Sequence, residues 1–286
     1  MLSSLMSLVL VWMGAAMDLD ALWDFQDPAG TEQRMRAELE SAAPNDRLVL
    51  QTQIARTLGL RGKTEDAAAL LDGIRDRVTD AQDAEVSARF HLEYGRVLVS
   101  ATRPPDVSEP ERTDEARAHY QRATEIARES GLDALAIDAL HMMAFLEDDP
   151  DTQLGWAREA LAIATSSDQP RAQRWEASLR HNAGYALHQM QRFAEALEQF
   201  ERARALRADD GTQWQQHVAG WMVAWTLRSL GRLDEALALQ HELEAGREAA
   251  GQPDRFVFEE LATLYREKGD AQQADHYQSL AEAQAK

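Results

Sequence analysis

The chain has 286 residues, no cysteine, and 30 Lys and Arg against 49 Asp and Glu, for a formal net charge of −19. Thiolate zinc sites, iron–sulfur clusters, disulfides and cysteine nucleophiles are therefore excluded. Phosphate contacts need clustered Lys and Arg, so this acidic balance, with only three lysines (Lys63, Lys268 and Lys286), leads to the expectation of no nucleic-acid partner.

Residues 1–17, MLSSLMSLVLVWMGAAM, carry no charge, and every charged residue lies from Asp18 onward. Three readings are open: an upstream extension with Met17 as the natural start, a secretory signal that lacks its basic n-region, or an apolar segment that packs somewhere. The run is shorter than the roughly 20 apolar residues of a membrane span, so stable membrane insertion is not expected. The expected location is cytoplasmic, with periplasmic or secreted as the alternative if residues 1–16 act as a signal peptide. In residues 18–44, Asp27 before Pro28 predicts an N-cap and a first helical position. A short helix should precede it, and Trp23 and Phe25 are expected to cover the apolar end of the helices that begin near residue 45.

From residue 45 onward apolar residues recur at three and four spacing, which predicts helix after helix. The segment NAGYALHQMQRFAEALEQFERARAL, residues 182–206, recurs loosely five more times. The copies align on one small residue of a second helix: Ala67, Ala116, Ala196, Ala236 and Ala274, with Gln153 in the third copy, at spacings of 49, 37, 43, 40 and 38. Twelve residues earlier stand Ala55, Gly184, Ala224 and Ala262, with His141 departing from the rule. Gly95 is the second copy's equivalent, displaced by a loop-like insertion from Thr102 to Pro110 that accounts for the longest spacing. Gly62, Gly231 and Gly269 predict tight turns between helices. Small residues at a helix crossing let antiparallel helices interdigitate, and since no pair buries its apolar face alone, pairs must stack.

Gly184-Tyr185-Ala186-Leu187, Phe193, Ala196-Leu197, Phe200 and Ala203 make the chain resemble tetratricopeptide repeat (TPR) proteins, in six copies over roughly residues 45–284. The period near 40 exceeds the standard 34 and is similar to the longer bacterial variant. The resemblance implies an all-α fold, a right-handed α-solenoid of stacked antiparallel helix pairs. The expected organisation is an apolar extension at 1–17, capping helices at 18–44 and one superhelical domain of about six pairs at 45–286.

Motifs for chemistry are weak. Gly59-Leu60-Arg61-Gly62-Lys63-Thr64 lacks the spacing and preceding strand of a phosphate loop and is read as a turn and helix start. Glu147 to Asp151 lacks the alternation of a calcium loop, so Asp149 is expected to cap a helix beginning at Pro150. His181 and His188 lie seven residues apart, about 10 Å along a helix, too far to share an ion. No catalytic residue, cofactor or metal is expected.

In a TPR stack the first helix of each pair lines a concave groove. Its inward positions are expected at Thr52, Arg56, Gly59; Leu92, Arg96, Val99; Asp138, Met142, Phe145; His181, Tyr185, His188; Trp221, Trp225, Arg228; and Glu259, Thr263, Arg266. The candidate binding residues are accordingly Arg56, Arg96, Met142, Phe145, His181, Tyr185, His188, Trp221, Trp225 and Arg228. They offer aromatic anchors and an excess of positive charge. Aromatics on such helices also pack between neighbouring repeats, so Trp221 and Trp225 are either groove-facing or core. The expected function is a non-enzymatic scaffold for a protein or peptide segment with apolar anchors and acidic groups. The alternative is a regulatory sensor whose curvature changes when a small peptide binds.

Overall fold

The computed structural model describes residues 17–100 and 109–284; the apolar segment 1–16 and most of the insertion expected at 102–110 lie outside the described residues. The chain divides into two compact units, Met1–Pro104 and Pro105–Lys286. All regular structure among the described residues is helical, in sixteen helices.

The first unit holds α1 (Leu19–Leu22), α2 (Pro28–Glu38), α3 (Pro44–Leu60), α4 (Thr64–Asp72), α5 (Arg75–Ala81) and α6 (Ala84–Leu98). Asp27 caps α2 as its sequence predicts, its carboxylate accepting from the Gly30 N–H at 2.9 Å, with Pro28 entering the first turn. Trp23 is packed against the apolar cluster built on Met35, Leu50, Ile54 and Leu71, and donates its indole N–H to Gln53 at 3.2 Å. Phe25 differs from expectation: it is 59% exposed, stacked on the outer face of Trp23 at 4.7 Å, because Trp23 already closes the end of the cluster.

The second unit holds α7 (Glu109–Glu129), α8 (Asp133–Ala144), α9 (Pro150–Ser166), α10 (Pro170–Gln173), α11 (Glu176–Gln189), α12 (Phe193–Asp210), α13 (Gln213–Ser229), α14 (Leu233–Ala249), α15 (Arg255–Glu267) and α16 (Ala271–Ala283). Four antiparallel pairs, α8 with α9, α11 with α12, α13 with α14 and α15 with α16, stack in chain order: α8 packs on α7, and each later first helix packs on the second helix of the pair before it. The small residues on which the repeats align are buried in this unit, whereas Gln153 of the third copy is half-buried and donates to the Glu147 carbonyl. Ala116, Ala196 and Ala236 are fully buried and Ala274 is 3% exposed. Gly184 lies under the Phe200 ring so closely that a Cβ there would stand 2.7 Å from it, which is why this position takes no side chain.

The turns between the helices of a pair share one device. Gly62, Gly231 and Gly269 have φ of 73°, 73° and 81°, and in each case the following N–H reaches back to a helix carbonyl at 2.9 Å. In the fourth copy Gln191 does the same work at φ 59°, with Arg192 N–H bonded to Leu187 O at 2.9 Å. Asp149 caps α9 from just before Pro150, accepting from the Thr152 N–H at 2.9 Å and the Thr152 hydroxyl at 2.7 Å. These bonds to the ionised form hold its carboxyl below the usual carboxylate range.

Candidate functional site: the first-helix face

In the second unit, α8, α11 and α13 present a run of aromatic side chains. Trp221 and Trp225, one turn apart on α13, are stacked at 5.8 Å, and Tyr185 on α11 continues the stack onto Trp225 at 6.3 Å. Both tryptophans are half-buried, packed on the apolar cluster of Leu187, Met222, Val223 and Leu264, while one edge of each remains accessible. Trp221 donates its indole N–H to Phe256 O at 3.3 Å, which fixes its ring against α15. Tyr185 is 47% exposed and Phe145, at the end of α8, is 66% exposed. Met142 is half-buried on the same helix.

Two clefts open along this face, each of ≈ 320 Å³, and both are lined by His181 and Asn182. Phe145, Gln153 and Tyr185 complete the first, and Trp175, Arg207 and Trp214 wall the second. Asn182 shares a hydrogen bond with the His141 ring at 2.9 Å, and Arg207 donates to the Ser178 hydroxyl at 2.7 Å. Burial, assisted by the Arg207 charge, holds His181 below its ordinary pKa, so its ring is neutral near pH 7 and presents an uncharged edge.

His188 is placed differently from the other expected site residues. Its ring lies flat under Trp225, 3.4 Å between centroids, bonded to the Ser229 hydroxyl at 3.0 Å and only 9% exposed. Burial, with a smaller push from the Arg228 charge, lowers its pKa to about 4. Its ring supports Trp225 from beneath.

The three expected arginines are engaged by carboxylates of the chain itself. Arg228 binds Glu260 at 2.6 Å and Glu267 at 3.2 Å, across to α15. Burial alone pulls its pKa down, but the hydrogen bond and charge of Glu260 more than offset that and the net shift is upward. In the first unit Arg56 and Arg96 converge on Glu93, at 3.4 and 2.6 Å, and Arg56 also lies over Trp23 and Phe25. Glu93 is 1% exposed and Glu260 6% exposed. Thr52, Leu92 and Asp138, the first inward position of the first three copies, are buried rather than groove-lining.

Asn182, Trp175 and Trp214 were not among the expected site residues. Trp214 was legible, since it stands seven residues before Trp221 on the same stripe of α13. Asn182 lies one position off the stripe, on its flank, and Trp175 precedes α11; only the packed helices bring these two to the clefts. Among the described residues no group of three or more His, Cys, Asp or Glu is arranged to hold a metal ion, and no helix is long and apolar enough to cross a membrane.

This geometry agrees with what the chain is similar to. A tetratricopeptide repeat model matches residues 177–210, the pair α11 and α12. No curated protein matches the sequence. Among solved structures, a signal transduction ATPase with numerous domains (STAND) from Pyrococcus horikoshii, described as having a tetratricopeptide repeat sensor, superposes with a TM-score of 0.71 at 13% identity. The match covers 90% of this chain and 39% of that one, so the present chain spans about two fifths of its length. The apo form of RapI gives 0.70 at 12% identity over 91% of this chain and 73% of RapI. A Rap protein complexed with competence and sporulation factor gives 0.55 at 15% identity over 92% and 72%. The chain carries a tetratricopeptide repeat and has the fold of tetratricopeptide repeat proteins.

Proposed function

We propose that the chain is a non-enzymatic scaffold that binds a protein or peptide segment on the first-helix face of α8, α11 and α13. The observation that carries this reading is the pairing of exposed Phe145 and Tyr185 with two clefts that share His181 and Asn182. An apolar side chain of the ligand enters either cleft against an aromatic wall, with the Asn182 amide as a polar contact in both and Arg207 in the second. Trp225, with His188 beneath it, backs Tyr185, and Trp221, bonded to the Phe256 carbonyl, stacks on Trp225. Arg56, Arg96 and Arg228 contribute by holding neighbouring first helices together. They are not the ligand's main cations. The fold's likeness to a Rap protein complexed with a factor supports a binding role for the repeats.

The test is selection of peptides from a random library by the full chain, followed by titration of the selected peptides against tryptophan fluorescence. A Phe145→Ala/Tyr185→Ala variant should keep its circular dichroism and lose at least about tenfold in affinity, the worth of one or two buried aromatic anchors. Undiminished binding by the folded variant would remove this face as the site.

A second reading, a sensor whose shape responds to the bound peptide, is supported by the likeness to a protein described as having a repeat sensor. It requires the radius of gyration to change on binding of a selected peptide. An unchanged radius leaves only the scaffold.

A further inference from the structure

Two larger clefts of the second unit share no lining residue with the two clefts of the first-helix face and adjoin them where Arg247 lies over Trp214. The first, ≈ 660 Å³, lies between the end of α9, α10, the start of α11 and α12, and its walls carry Arg174, Arg180 and Arg202 with Glu176. The second, ≈ 640 Å³, lies between α12, α13 and α14, and its walls carry Arg204 and Arg247 with Glu242. A step of 40 residues takes Glu176, Arg202 and Leu206 of one onto Gln216, Glu242 and Gly246 of the other. They are therefore the same cleft in successive repeats, on opposite flanks of α12.

Five arginines against two glutamates line these clefts in a chain whose net charge is −19. Unlike Arg228, several of these arginines are loosely held. Arg202 is 3.7 Å from Glu176, an acid that Arg180 already binds at 2.8 Å, and its side chain is 57% exposed. Arg204 is 4.0 Å from Glu242 and 43% exposed. Arg247 lies over Trp214 at 5.3 Å, and its Nε is buried with no acceptor. Between the charges the walls mix polar side chains, Thr165 and Gln173 in one cleft and Gln213, Gln216 and His217 in the other, with small or apolar ones such as Leu206, Ala208 and Gly246.

We propose that these paired clefts dock an acidic segment of a partner protein, laid across α12 so that carboxylates meet Arg202 on one flank and Arg204 and Arg247 on the other. Charge complementarity selects the occupant. Guanidinium forks match carboxylates, and a short acidic segment ends where the basic walls end. A nucleic acid, with a phosphate at every nucleotide, runs on over the surrounding acidic surface and is repelled there.

The experiment uses the full chain and fluorescence anisotropy with three labelled probes: an Asp/Glu/Leu peptide of about twelve residues, its Asn/Gln/Leu counterpart, and single-stranded DNA of equal charge. The acidic peptide should bind at least about tenfold more tightly than either of the others. Arg202→Glu/Arg204→Glu, two exposed positions whose change leaves the helices intact by circular dichroism, should lose at least about tenfold in that affinity, and Phe145→Ala/Tyr185→Ala should lose none. The proposal is overturned if the acidic peptide fails to bind, if the amide peptide or the DNA binds as well, or if the charge reversal leaves affinity unchanged. Loss in the Phe145/Tyr185 variant also overturns it, by placing the peptide on the first-helix face.

Discussion

The first-helix faces of the two units are built from the same repeat and finish differently. In the first unit the inward arginines Arg56 and Arg96 close over buried Glu93, both on its Oε1, and Arg56 is roofed by Trp23 and Phe25, so the charges of this face are consumed within the chain although Glu93 Oε2 stays buried without a partner. In the second unit the corresponding ion pair, Arg228 with Glu260, sits at one end, and the rest of the face is aromatic, with Phe145 and Tyr185 standing out into solvent. A cation at an inward position therefore does not by itself announce a ligand. The next first helix supplies a glutamate just beside the inward stripe, and what remains open is decided by where no such partner reaches.

Four measurements break or sharpen that contrast. The largest effect is expected from Arg56→Ala/Arg96→Ala, which leaves the Glu93 carboxylate, 1% exposed, without its two cations. Denaturant unfolding should show a loss of about 3–5 kcal/mol, with hydrogen exchange quickening in α3 and α6. A change under about 1 kcal/mol, the range of an exposed pair, would make those arginines ligand-facing groups again. Glu260→Ala should cost less, about 2 kcal/mol, because Arg228 keeps Glu267 and is partly open to water.

The third measurement follows pH. The unfolded His188 ring takes up its proton near 6.5, whereas the folded one does so only near 4. The unfolded state thus binds more protons between those values, and stability should fall as pH drops through that window. His188→Gln should flatten the slope there. A slope identical in the variant would mean that other groups carry it.

The smallest effect concerns the turn that departs from glycine. Gln191→Gly relieves a left-handed backbone at φ 59° and should raise stability by about 0.5–1 kcal/mol, while Gly231→Ala, at φ 73°, should lower it by about 1 kcal/mol. Equal responses at the two turns would show that the fourth copy's turn is not strained.

Much of this architecture was legible in the chain. Period, helix order and crossing alanines are local properties: a small residue is required wherever two helix axes approach, so Ala196 and Ala236 mark their crossings before any coordinates exist. Caps are local too, as Asp27 and Asp149 show. The aromatic stripe was visible as spacing on α11 and α13, and the structure keeps Tyr185, Trp221 and Trp225 together.

What a periodic pattern cannot encode is the neighbour across the crossing. Whether Arg228 meets a ligand or Glu260, whether His188 lies above or beneath Trp225, and whether Asn182 borders a cleft depend on the rotation of one helix against the next. That rotation is set by packing of side chains far apart in sequence, as the Arg56–Glu93, Asn182–His141 and Arg228–Glu260 contacts illustrate. The sequence by itself determined the helices, their pairing and their small-residue contacts, because those follow from local steric and hydrophobic periodicity. Only the tertiary structure decided which charges are consumed within the chain and which surfaces stay open, because that is settled by partners the chain brings together from different repeats.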